Sequence, residues 1–180
     1  ICSSADVFKD DISWDNIIFY DNNTWKLAPI GLDLYDGVGG IAIFLASVNR
    51  THPSELYEKT LKLVQNKLFN YTDGNGVSVQ NLRTKDSGIL KGEGSIIYTY
   101  IILYKITKDK KYLFYAEKHF SKFEEIILQC KNPDYLSGSA GTIIVLTKLY
   151  DETNNRKYLD VAEILGENIW KMAKKQKEGY

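Results

Sequence analysis

Asp134 is the residue whose neighbours best suit it to chemistry. It stands in Pro133-Asp-Tyr-Leu-Ser-Gly-Ser-Ala-Gly, four residues before Gly138, where a glycine turn runs into an apolar helix. A carboxylate at the mouth of an inner helix would point at the centre of a helical ring and could carry a proton there. The same place suits a turn or cap residue that accepts the next backbone amides. Spacing alone leaves both open. Asp36, one residue before Gly37, and Lys91 and Glu93, on either side of Gly92, invite the same choice. Their charges differ from copy to copy, so no paired-carboxylate geometry can be read, and capping is the role expected of Asp36 and Glu93.

Other chemistry-bearing residues are scattered. His52 precedes Pro53 in a link between helices, and His119 lies mid-helix beside Lys118. Neither has a second ligand at metal spacing, so both are expected at the surface. Cys2 and Cys130 have no partner at disulfide or zinc spacing. They read as a frayed terminal residue and a half-buried thiol, and fit a reducing cytoplasmic setting. Asp73-Gly-Asn-Gly76 has the flavour of a calcium loop, but its later positions fail the pattern and a turn is expected. No Ser/His/Asp set, phosphate loop or dinucleotide fingerprint is present.

The elements that must position these residues repeat. Tyr35-Asp-Gly-Val-Gly-Gly-Ile, Leu90-Lys-Gly-Glu-Gly-Ser-Ile and Leu136-Ser-Gly-Ser-Ala-Gly-Thr-Ile each lead into an apolar run, with anchor glycines 55 and 46 residues apart. Lys111-Tyr-Leu-Phe-Tyr-Ala-Glu and Lys157-Tyr-Leu-Asp-Val-Ala-Glu share five of seven residues and keep the same phase. The unit is a glycine turn, an apolar helix, a short polar link and a second, amphipathic helix. Helices are expected near 38–50, from Pro53, over 93–107, 109–129, 140–152 and 155–174. Leu56, Tyr57, Leu61, Val64 and Leu68 form the stripe of the second. A loop is expected over 70–88. Odd helices are apolar and even ones amphipathic, which predicts an inner and an outer layer, as in solenoids and closed α/α toroids. The glycines are expected to supply positive φ and close approach at one end of the ring. Three pairs make about half of a six-pair toroid, so the last pair should present an unfinished, partly apolar face. Residues 1–30 differ: aromatic and β-branched runs around Asp21-Asn-Asn-Thr predict a β-hairpin lead-in packed on the helical body of residues 31–180.

Composition narrows the function. The 180 residues carry 23 basic and 23 acidic side chains, so charge gives no reason to expect nucleic acid or an anionic bilayer as partner. The apolar runs are too short to span a membrane. No signal peptide is visible, and the first residue is Ile rather than Met.

Ile12-Ser-Trp and the long phrase from Trp25 through Gly37 to Ala46 resemble the start of the cyclase domain of LanM-type (class II) lanthipeptide synthetases. The phrases at Leu90 and Asp134 resemble the next two glycine turns of that LanC-like fold. The resemblance implies an all-α, α/α toroid with a short N-terminal hairpin, here as three pairs, the N-terminal half of the domain. It implies a cytoplasmic zinc enzyme that adds cysteine thiols of a precursor peptide to dehydroalanine or dehydrobutyrine, forming lanthionine rings. By motif position Asp134 matches the family's acid/base aspartate. The family's zinc ligands sit in Cys-Gly and Cys-His-Gly phrases, and its second acid/base residue in a Gly-x-x-His-Gly phrase. This chain has none of these, nor a dehydration domain before residue 1, so Zn2+ is expected only in a complete domain and this chain alone should not cyclise. Two other readings stand beside it. One is a non-catalytic α-solenoid module that binds a peptide, or a second copy through its unfinished face. The other is a glycan-processing toroid, which would need a carboxylate pair that the spacing does not show.

Overall fold

A computed structural model describes residues 1–19, 24–75 and 86–174. After a short 3₁₀ turn come four short strands: β1 (Asp6–Phe8), β2 (Asp11–Ser13), β3 (Asp15–Phe19) and β4 (Trp25–Pro29). Six helices follow: α1 (Val38–Thr51), α2 (Glu55–Asp73), α3 (Glu93–Thr107), α4 (Lys110–Leu128), α5 (Ser139–Thr153) and α6 (Lys157–Lys174). They form three hairpins, α1 with α2, α3 with α4, and α5 with α6. The odd helices stack in one row and the even ones lie outside them. This two-layered stack of helix pairs is consistent with part of an α/α toroid.

The layering follows from the side chains. α3 lies between α1 and α5 and also packs on α4, and it buries Ile96, Ile97, Tyr100, Ile101 and Leu103 almost completely. A helix covered on so many sides must be apolar nearly all round. α4 buries Tyr112, Ala116, Phe120 and Ile127 on one stripe and keeps lysines and glutamates outside. α2 uses a narrower stripe than expected: Leu61, Val64 and Leu68 are buried, whereas Leu56 is 56% exposed.

The repeat extends to the helix ends. Lys108 and Asn154, 46 residues apart, end α3 and α5 in the left-handed region, at φ 62° and 56°. In both copies the preceding threonine hydroxyl donates to a carbonyl four residues back and accepts the amide two residues on. The Asp109 carboxylate then caps α4 by accepting the Lys111 N–H at 2.9 Å. Pro53 lies outside α2, whose N-cap is Ser54.

The N-terminal strands differ from the expected single hairpin. β1 pairs with β2 and β3 with β4, both antiparallel. Ile12 thus belongs to an earlier hairpin than Ile17. The part of the turn at 20–23 and the loop at 76–85 lie outside the described residues. Among the described strand residues only those of β2 pack firmly on the body, against α2. Ile12 and Trp14 enter the core before the second hairpin, and Ile30 and Leu32 join it afterwards.

Candidate functional site

The three glycine turns lie side by side at one end of the helix row and are stitched together. Tyr35 N–H donates to Leu90 O at 3.1 Å, and Leu90 N–H, one repeat on, donates to Leu136 O at 2.9 Å. Inside each turn the first amide of the inner helix donates back to a carbonyl six residues before the anchor glycine: Val38 to Gly31, Glu93 to Asp86, Ser139 to Asn132. That fold-back explains the glycines. Gly37 and Gly138 have φ of −126° and −128°, contrary to the positive φ expected of them, so backbone sign does not require glycine there. Space does. A Cβ on Gly37 would sit 2.6 Å from Asp33 O and Gly31 O, and one on Gly138 would overlap Asn132 O. Only Gly92, at φ 82°, needs glycine on both counts.

Asp134 lies on the solvent side of the third turn. Its Oδ2 accepts the Ser137 N–H at 2.7 Å and the Ser137 hydroxyl at 3.0 Å, while its own N–H donates to Asn132 Oδ1. The Ser137 amide, then its hydroxyl, holds the Asp134 carboxyl below the usual carboxylate range. Asp33 takes the equivalent place in the first turn, four residues before Gly37, and its Oδ1 accepts the Asp36 N–H at 3.2 Å. Its surroundings differ. Asp33 is half-buried, and desolvation, then Asp36, pushes its pKa up to about 6. Asp36 does not cap α1; its Oδ2 accepts from Lys91 Nζ at 2.9 Å, and that ammonium lies over the exposed Tyr35 ring. Desolvation raises the Asp36 pKa, but the bonds to Lys91 and Asp33 and the Lys91 charge together hold it below the usual carboxylate range. One end of the helix row thus offers a carboxyl held below the usual range, another pushed up to about 6, a lysine and two exposed tyrosines, Tyr35 and Tyr135.

Glu93 and His119 are placed differently from expectation. His119 is fully buried, and Glu93 caps nothing. His119 Nε2 and Glu93 Oε2 are 2.9 Å apart, and Glu93 Oε1 accepts from the Tyr71 hydroxyl at 2.9 Å. On the other side His119 Nδ1 meets Thr72 Oγ1 at 2.9 Å, and Thr72 Oγ1 meets Tyr100 OH at 2.8 Å. Burial lowers the His119 pKa, against the pull of Glu93. The network ties the end of α2 to α3 and α4 and so fixes where α3 begins. The signal was present in the sequence: positions 112, 116, 119, 123 and 127 keep helical spacing, so His119 belongs to the apolar stripe of α4.

Metal donors do not converge. Among the described residues no group of three or more His, Cys, Asp or Glu could hold an ion. His119 has both nitrogens engaged, and the exposed His52 bonds Thr51. Cys130 is buried beyond expectation, its thiol directed to Asn132 O, and Cys2 packs half-buried against the core rather than fraying. The residues in hand therefore do not fit a zinc centre. Asp73-Gly74 is a helix end: Gly74 terminates α2 at φ 86°, and Asp73 pairs with Lys118 at 2.7 Å. A groove of about 580 Å³ opens between the ends of α4 and α6, lined by Leu128, Cys130, Lys131, Asn168, Lys171 and Met172. No described helix is long and apolar enough to cross a membrane.

Comparison with curated proteins finds no match. Residues 28–179, which hold all three turns and all six helices, match the family described as lanthionine synthetase C-like protein. The chain belongs to the lanthionine synthetase C-like family.

Proposed function

We propose that this chain contributes to a cyclase domain of a LanM-type synthetase, which adds cysteine thiols of a precursor peptide to dehydroalanine or dehydrobutyrine. The supporting observation is the stitched turn end, where repeat-equivalent carboxyls stand beside exposed tyrosines. In the addition a thiol loses its proton, the sulfur bonds the β-carbon, the π pair moves to the α-carbon side, and a proton is delivered to the α-carbon. A proton donor works best with a pKa near the working pH. Asp33 has that property, and Asp134 does not. We assign Asp134 to holding the third turn and presenting an ionised carboxylate that accepts or orients the thiol proton. Asp33 is the carboxyl able to deliver one. Zinc in the complete domain would lower the pKa of the thiol. Its ligands are not among the described residues, and none of these steps runs through it.

The test is thiol addition by a form extended through the downstream coding sequence, comparing Asp134→Asn and Asp33→Asn. Each should slow ring closure, and only Asp33→Asn should remove a limb near pH 6 from the rate profile. Full activity in both variants would sink the assignment.

A second reading has its own support. An exposed aspartate that bonds the amide three residues on is a common turn device. On that reading the chain is a non-catalytic peptide-binding module, and Asp134→Asn would change stability without changing any rate.

A further inference from the structure

The third glycine turn carries a closed ring of bonds among Asn132, Asp134 and Ser137. Asn132 Oδ1 accepts the Asp134 N–H at 3.1 Å, and Asn132 Nδ2 donates to Ser137 Oγ at 2.9 Å. The Ser137 hydroxyl in turn donates to Asp134 Oδ2 at 3.0 Å. Proton counting fixes these directions. A backbone N–H can only donate, so the Asn132 atom that faces Asp134 N is the oxygen, and the NH2 group must face Ser137. That NH2 can only donate as well, so Ser137 Oγ accepts there and its single proton is left for the carboxylate. Asn132 is itself held by the fold-back, its main-chain oxygen accepting the Ser139 N–H at 2.8 Å. The repeat makes this ring particular to the third turn. Gly31 and Asp86 stand where Asn132 does, and Asp36 and Lys91 stand where Ser137 does. In the first turn Asp33 therefore meets a carboxylate where Asp134 meets a hydroxyl, and no side-chain amide stands behind it.

We propose that Asn132 is the positioning residue for Asp134: its amide turns the Ser137 hydroxyl proton onto Asp134 Oδ2 and so locks the carboxylate in one orientation on the turn. The proposal rests on the reading in which Asp134 accepts or orients the thiol proton. Asn132 touches no reacting atom in that step; it acts through Ser137. An exposed carboxylate without such support turns freely, and an unsupported serine hydroxyl turns to water. Two donors from Ser137 on one oxygen, an amide and a hydroxyl, hold the group in place. Bonds to an ionised acceptor are the stronger ones. A carboxylate fixed before the substrate arrives needs no rearrangement at the moment of reaction.

Carboxyl carbon NMR of the 180-residue chain reads the Asp134 titration directly. The variant to make is Asn132→Asp. It keeps an oxygen to accept the Asp134 N–H, but its second oxygen takes the Ser137 proton instead of facing Ser137 with a donor. Asp134 then loses its hydroxyl bond, and its pKa should rise toward the ordinary carboxylate range. The added charge pushes the same way, so the comparison is repeated in a Ser137→Ala background, where no hydroxyl is left to turn. There Asn132→Asp should move Asp134 clearly less. Ser137→Thr, which keeps the hydroxyl, should leave Asp134 where it is. In the form extended through the downstream coding sequence, Asn132→Asp should slow ring closure about tenfold. Circular dichroism checks that each variant keeps its helices. An equal rise in the two backgrounds, or a rise in neither, overturns the proposal. So does full ring closure by Asn132→Asp while Asp134→Asn is slow. Full activity of Asp134→Asn sinks instead the reading beneath the proposal, and the positioning role with it, whatever the titration shows.

Discussion

Asp33 and Asp134 are the same residue of the repeat in two surroundings. Each stands four residues before an anchor glycine, and each carboxylate accepts the amide three residues on. The shared bond is the turn's own; the difference is burial and charge. Asp134 faces water and gives up its proton easily, whereas Asp33 is desolvated beside Asp36 and holds its proton to about pH 6. One backbone device has produced two carboxyls of different acidity at one end of the molecule.

The first prediction concerns that acidity. Carboxyl carbon shifts followed by NMR should show Asp33 titrating near pH 6 and Asp134 below the usual carboxylate range. The pKa of Asp33 is raised in the folded state, so its ionisation works against folding as pH climbs from about 4 through 6. Asp33→Asn removes that cost and keeps an oxygen acceptor for the Asp36 amide. Above pH 6 it should stabilise the chain by about 1 kcal/mol once solvent screening of the half-exposed group is allowed for. The gain should vanish below pH 4. Equal denaturant midpoints for the two proteins at pH 7.5 would contradict the assignment.

The buried network supplies the second prediction. Removing one partner leaves one buried polar atom of the other without its bond, which costs about 1–3 kcal/mol. His119→Ala and Glu93→Ala should each destabilise on that scale, and the double variant should cost much less than their sum, a coupling visible in a double-mutant cycle. The His119 pKa is lowered on folding, so the unfolded chain takes up the proton first and stability falls as pH drops through the ordinary histidine range. His119→Gln should flatten that part of the stability curve. A strictly additive cycle would mean that the His119–Glu93 contact at 2.9 Å carries no coupling.

The glycine turns give a third. Gly92→Ala meets both left-handed backbone and the Asp86 carbonyl, and should cost more than about 2 kcal/mol. Gly138→Ala should be costly through close contact with the Asn132 carbonyl and Asp134 N, without any help from φ. Gly166→Ala is the control: it lies inside α6 with only Ile143 Cδ1 nearby, at 3.9 Å, and should gain about 0.5–1 kcal/mol. Thermal unfolding of the three variants orders them. A mild Gly92→Ala would remove the close-packing explanation of the repeat.

Much of this fold is legible in the sequence because two independent phrases keep one phase. The anchor glycines and the Lys-Tyr-Leu segments fix helix pairs and their order, and binary pattern separates inner from outer helices. Less legible is anything that depends on which side chains meet across repeats. Glu93 reads as a cap because it opens a helix, and only packing shows that His119 takes its carboxylate. Asp33 escapes notice because Asp36, nearer to the glycine, draws attention first. Counting back four residues from each anchor, as for Asp134, would have found it. How the second hairpin sits is hidden for another reason. Alternation marks strands, but whether a hairpin lies on the body depends on contacts outside its own sequence.

Metal content and thiol addition, measured side by side on this chain and on the chain extended through its downstream coding sequence, test the central claim most directly. A dehydrated peptide with free cysteines is the substrate, and thioether closure is read by mass as loss of alkylatable thiol. The account predicts that the extended form alone holds one tightly bound zinc and closes rings, and that Asp134→Asn slows it by about a hundredfold or more. Stoichiometric zinc and ring closure in the short chain, or neither property in the extended form, would contradict it.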